Sequence, residues 1–167
     1  MDKSRLVAVD TNILLRLARR DEATMDALDM IRQRLAPVQL VVSPTVAQET
    51  AVLACEVDDP ALSDAARVAL GQLSSWGFFA GPLNAVDKAI VWNAAGKLLD
   101  SGLLPSLERN DALILAEASV MNCILLVRRG SHLLRIDRDK LALVFGDLDL
   151  PTPAIASPEA LLNRFYR

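Results

Sequence analysis

Leu6-Val7-Ala8-Val9-Asp10-Thr11-Asn12 decides the fold. Four apolar residues in a row, stopped by an acid, suit a strand buried on both faces. Asn12 to Arg19 then reads as a short helix with basic residues at its end. Met25, Leu28, Ile31 and Leu35 repeat at helical spacing until Pro37. Gln39 to Val42 is a second strand, and Ser43-Pro44 opens the helix that carries Val46, Glu49, Val52 and Leu53. Asp59-Pro60 opens another, running toward Leu73. Trp76 to Ala80 reads as a short strand, and Asn84 to Asp100 as a helix closed by Gly102. Leu103 to Arg109 reads as a loop, and Asn110 as the cap of a helix through Ser119. Ile124 to Val127 is a further buried strand, Leu141 to Phe145 the expected last one, and Ser157-Pro158-Glu159 opens a C-terminal helix. Short apolar strands alternating with helices predict a three-layer α/β/α, Rossmann-like fold with a central, mostly parallel sheet. Ligands of such sheets bind at the carboxyl ends of the strands. Function is therefore expected at Asp10-Thr11-Asn12, after Ser43, and from Arg128 to His132.

The 167 residues fit one domain, 1–167, with 52% hydrophobic and 23% charged residues. That balance excludes intrinsic disorder. Aromatics at 4% leave an aliphatic core and argue against nucleic-acid binding by rows of stacked rings. Eighteen basic against 21 acidic residues give a charge of -3, so no global basic field clamps a phosphate backbone. Cys55 and Cys123, in apolar surroundings, read as reduced thiols. With one histidine they build no zinc site. The apolar run before Asp10 is too short for a signal peptide, and Val68 to Val86 is a poor membrane span. A cytoplasmic protein without membrane attachment is expected.

Three acids stand out. Asp10 ends the first strand, where it serves as a helix N-cap, as a functional carboxylate, or as both. Glu49 lies on or beside the apolar stripe of its helix, either reaching out to water or facing a site. Asp111 stands in a first helical turn, where the helix dipole favours an acid. All three fall at or near element ends that the topology gathers on one sheet edge. Clustered carboxylates raise each other's pKa values, and a hard cation, Mg²⁺ or Mn²⁺, relieves that cost.

Val7-Ala8-Val9-Asp10-Thr11-Asn12-Ile13-Leu14-Leu15 resembles the opening signature of PIN-domain ribonucleases. Ser43-Pro44-Thr45-Val46-Ala47-Gln48-Glu49 and Asn110-Asp111-Ala112-Leu113-Ile114-Leu115-Ala116-Glu117-Ala118 are similar to the family's second and third blocks. Cys123 to Val127 and Ser157 to Leu162 resemble its following strand and last helix. The nearest group is the VapC-type toxins of toxin–antitoxin pairs. The resemblance implies a PIN-like domain that cleaves RNA phosphodiesters as an endoribonuclease. Asp10, Glu49 and Asp111 would hold one or two Mg²⁺ or Mn²⁺ ions, and the metal would supply hydroxide and neutralise charge on the phosphate. Asn12 would position Asp10 or a water. Thr11 would offer its hydroxyl to phosphate or simply start its helix; Ser43 would steady Glu49 or cap its helix. A small antitoxin and a homodimer are the implied protein partners.

The fourth block departs from the pattern. An acid is usual there; this chain has Val127-Arg128-Arg129-Gly130-Ser131-His132. Three readings are open. Three acids suffice, with Arg128 or Arg129 on RNA phosphate; Asp137 or Asp139 folds back as the missing acid, against their reading as solvated loop charges; or arginine stands in for the metal charge. Glu117, some 120° around its helix from Asp111, is a poor substitute. His132 reads as a loop residue bonded to backbone, or as a phosphate contact. The alternative function is a catalytically degenerate PIN-like module binding RNA or a protein. A phosphatase of the haloacid-dehalogenase type needs a second acid where Asn12 stands.

Overall fold

The computed structural model describes residues 4–55, 58–81, 83–103 and 109–165, and only the backbone of Ser131 and His132. The expected phosphate-contact reading of the His132 side chain, and most of the expected 103–109 loop, lie outside the described residues.

Among the described residues, five strands form one parallel sheet: β1 (Arg5–Val9), β2 (Val38–Val42), β3 (Phe78–Ala80), β4 (Cys123–Val127) and β5 (Ala154–Ala156), in the order β3-β2-β1-β4-β5. β1 is central, which is why Val7, Ala8 and Val9 are at most 1% exposed and why no polar residue interrupts them. From β1 the chain steps to β2 and β3 on one side, then returns past β1 to β4 and β5. Parallel crossovers are right-handed, so this reversal sends the two sets of connecting helices to opposite faces.

The first set is α1 (Thr11–Ala18), α2 (Glu22–Arg34), α3 (Pro44–Cys55) and α4 (Pro60–Gln72). The second is α5 (Ala85–Asp100), α6 (Arg109–Val120), the single turn α7 (Ser131–Leu134) and α8 (Arg138–Gly146). α9 (Pro158–Phe165) packs on α2, with the first set. The expected three-layer α/β/α architecture is the one observed. No helix among the described residues is long and apolar enough to cross a membrane.

The starts of the helices follow sequence chemistry. Asp10, Asp21, Asp59 and Asn84 accept backbone N–H bonds as N-caps, and Asn84 with Asp87 forms a reciprocal capping box. Two expectations need correction. Leu141 to Phe145 is helical: Asp137 accepts from the amides of Asp139 and Lys140 and opens α8. The last strand is instead Ala154–Ala156, three residues that follow Pro153. Asn110, expected as a cap, lies inside the first turn of α6.

Candidate functional site

The sheet reverses its order of construction between β1 and β4, so the crevice at their carboxyl ends is the expected binding place. Val9 and Val127 are register partners, and the next residues, Asp10 and Arg128, emerge side by side. Their backbones are pinned: Asp10 N donates to Val127 O at 3.1 Å, and Arg128 N to Ala156 O at 2.9 Å. A cleft of about 610 Å³ opens there, lined by Asp10, Thr11, Asn12, Glu49, Asp111 and Arg128 among others. The sequence therefore anticipated most of its polar lining.

Asp10 is 2% exposed, and its Oδ1 accepts from Ile13 N at 3.0 Å. Burial pushes its pKa up to about 7; Arg128 and the amides of Ile13 and Arg129 pull it down, while the charge of Asp111 pushes it up. Glu49, one turn into α3, receives the Thr11 hydroxyl on Oε2 and Asn110 Nδ2 on Oε1, the latter at 2.7 Å. Asp111, in the first turn of α6, accepts from Arg128 Nη1 at 2.7 Å. Arg128 Nε lies 3.7 Å from Asp10 Oδ2 and has no hydrogen-bond partner. The guanidinium thus lies between two of the three acids, and Arg128 as a whole is 9% exposed.

The other candidates divide. Asn12 is exposed and lines the cleft. The Thr11 hydroxyl is committed to Glu49. Arg129 is exposed, does not line the cleft, and lends its charge to Glu159. Ser43 Oγ accepts from Val46 N at 3.4 Å and so caps α3. Asp137 spends its carboxylate on α8, and Asp139 is exposed; neither lines the cleft. Gly130 has φ +124°, a conformation L side chains rarely adopt, so an acid at that position would be strained.

Glu117 matters in a way that its position relative to Asp111 hid. It is 4% exposed and accepts from Thr45 N at 3.2 Å and Thr45 Oγ1 at 2.8 Å. It therefore holds the first turn of α3, while Asn110 holds Glu49 one turn later. Two bridges between α3 and α6 set the angle at which Glu49 enters the cleft. Burial without a cation partner raises the Glu117 pKa. The signal for this was a carboxylate among Ala and Ser on an otherwise apolar helix.

Oxygen donors of this type suit Mg²⁺ or Mn²⁺. Their arrangement does not: among the described residues no three acidic, histidine or cysteine side chains converge on one point, and Arg128 takes the space between Asp10 and Asp111. An ion held jointly by Asp10, Glu49 and Asp111, as the sequence implied, does not fit this arrangement.

A chain of the VapBC2 complex from Rickettsia felis, solved bound to a DNA fragment from its promoter, is similar with a TM-score of 0.61 and 15% identity over 91% of this chain and 98% of that one. A chain of VapBC-1 from nontypeable Haemophilus influenzae is similar with a TM-score of 0.56 and 16% identity, over 92% and 98%. A chain of FitAcB from Neisseria gonorrhoeae gives 0.51 and 16%, over 91% and 97%. At these identities the likeness is one of fold. No curated protein matches the chain. The family model for the PIN domain matches residues 7–139, a span that holds the end of β1, all of α3, α6 and β4, and all three acids of the cleft. The chain belongs to the PIN domain family.

Proposed function

We propose that this chain is an endoribonuclease of toxin–antitoxin type that works on RNA phosphodiesters in the cleft between β1 and β4. One observation carries the reading: Asp10, Glu49 and Asp111 come from three separated segments and line one cleft at the sheet's reversal point. PIN-family membership and the fold of VapBC and FitAcB chains support it. Asp10, Glu49 and Asp111 are its catalytic acids, with Asn12 at the lip beside the entering strand. Mg²⁺ or Mn²⁺ is the ion their chemistry suits, although Arg128 denies it the place. With Arg128 seated, its guanidinium is spent on Asp111 and Asp10, which restrains cleavage. The natural partner is a small antitoxin, for which the cleft wall offers apolar surface at Val52, Leu53 and Leu113; Val52 is 55% exposed. Acting on cellular RNA, the protein works in the cytoplasm.

The seated Arg128 favours one second reading, a module that binds RNA without cutting it. Single-stranded RNA incubated with the protein and Mn²⁺ separates the two. Slow cleavage is expected, and Asp10→Asn should reduce it about a hundredfold. Asparagine is an equally good N-cap, so far-UV circular dichroism should not change. Equal cleavage by the variant would sink the assignment of Asp10; binding without cleavage by the wild type would favour the second reading.

A further inference from the structure

We infer that Arg128 is an internal counter-ion that holds the acidic cleft closed to divalent cations until its side chain moves. Its Nη1 is 2.7 Å from Asp111 Oδ1, and its Nε is 3.7 Å from Asp10 Oδ2. A cation bridging these two carboxylates would occupy the same space. The arginine is placed there by the fold: its amide is fixed to Ala156 O at the end of β4, in register with the end of β1. It is nine-tenths buried, so water screens these contacts poorly. The third acid is also engaged, since both Glu49 oxygens accept hydrogen bonds, from Thr11 and Asn110. The seat is not sealed by good bonding, however. Arg128 Nε lacks a hydrogen-bond partner, and the guanidinium contacts each carboxylate through a different nitrogen instead of gripping either with two. An imperfectly bonded, buried cation is one that a competing charge can displace. Metal affinity in this chain is then the outcome of a competition, and Arg128 is a gating residue rather than a catalytic one.

This inference rests on the proposed reading only for what the cation is for; its test uses the metal alone. Mn²⁺ is titrated by calorimetry into the wild type, Arg128→Ala, Arg128→Gln and Arg128→Ala/Asp10→Asn, and free Mn²⁺ is counted in parallel by electron paramagnetic resonance. Both single variants should bind Mn²⁺ at least tenfold more tightly than the wild type, and the double variant should lose that gain. Arg128→Gln keeps a side chain that can still donate to Asp111, so it guards against a collapse of the alanine variant. Wild-type and Arg128→Gln affinities that agree would overturn the inference. So would Mn²⁺ binding that persists undiminished in the double variant, or no binding by either single variant. Loss of RNA cleavage with these affinities intact would count against the nuclease reading alone.

Discussion

Asp10 carries two duties on one carboxylate. Oδ1 caps α1 through Ile13 N, and Oδ2 faces Arg128 across 3.7 Å. Glu117 is the less obvious acid of the region. Its hydrogen-bond donor, Thr45, is neutral, and burial raises its pKa above the ordinary value. A raised carboxylate contributes stability that is present below the unfolded pKa and lost as pH rises through the folded value. Glu117→Gln removes that titration. Its melting temperature relative to wild type should therefore climb as pH rises above the usual carboxylate range. A difference that stays flat in thermal melts would show that Glu117 is not destabilised by ionising. The three cleft acids were legible in the sequence because each lies at or near a recognisable element end. Glu117 was not: its partner Thr45 lies 72 residues away, and spacing along α6 carries no information about α3. Asn110 was misread for the same reason, since its amide serves Glu49 rather than its own helix.

Elements built by strong local chemistry were readable, and short ones were not. Leu141-Ala-Leu-Val-Phe145 is apolar throughout, so period alone cannot separate strand from helix. In a strand, Leu141, Leu143 and Phe145 would share one face. In α8, Leu141 and Phe145 are 1% and 0% exposed while Leu143 is 68% exposed. Phe145→Ala should cost about 3–5 kcal/mol in chemical denaturation. Leu143→Asp should stay within about 0.5 kcal/mol. Comparable losses for both would restore the strand. α9 is tied to α1 and α2 by Arg16, whose Nη2 reaches Glu159 at 2.6 Å and Asp21 at 2.8 Å. The Arg16 hydrogen bond lowers the Glu159 pKa, so the tie holds above the usual carboxylate range and weakens as pH falls through the lowered value. Glu159 is half exposed, so Glu159→Gln should cost about 1 kcal/mol or less near neutral pH and nothing in acid; an equal cost at both pH values would assign the effect to packing.

At the scale of the whole molecule, function follows from one reversal in strand order. Because the chain builds outward to β3 and then returns to β4, β1 and β4 end side by side with helices leaving on opposite faces. That places Asp10 beside Arg128 and lets α3 and α6 bring Glu49 and Asp111 to the same cleft. Alternation of strands and helices made the layers legible, and the position of Asp10 at a strand end made the edge legible. The salt link from Arg128 to Asp111 was not, because it depends on how far a side chain reaches across two strand ends. In the proposed reading this cleft is a nuclease site restrained by its own arginine. The most direct test compares cleavage of single-stranded RNA in Mn²⁺ by the wild type and by Arg128→Gln. At least tenfold faster cleavage by the variant is expected, abolished again by Asp10→Asn; cleavage that is unchanged or slower in Arg128→Gln would show that the arginine does not restrain the site.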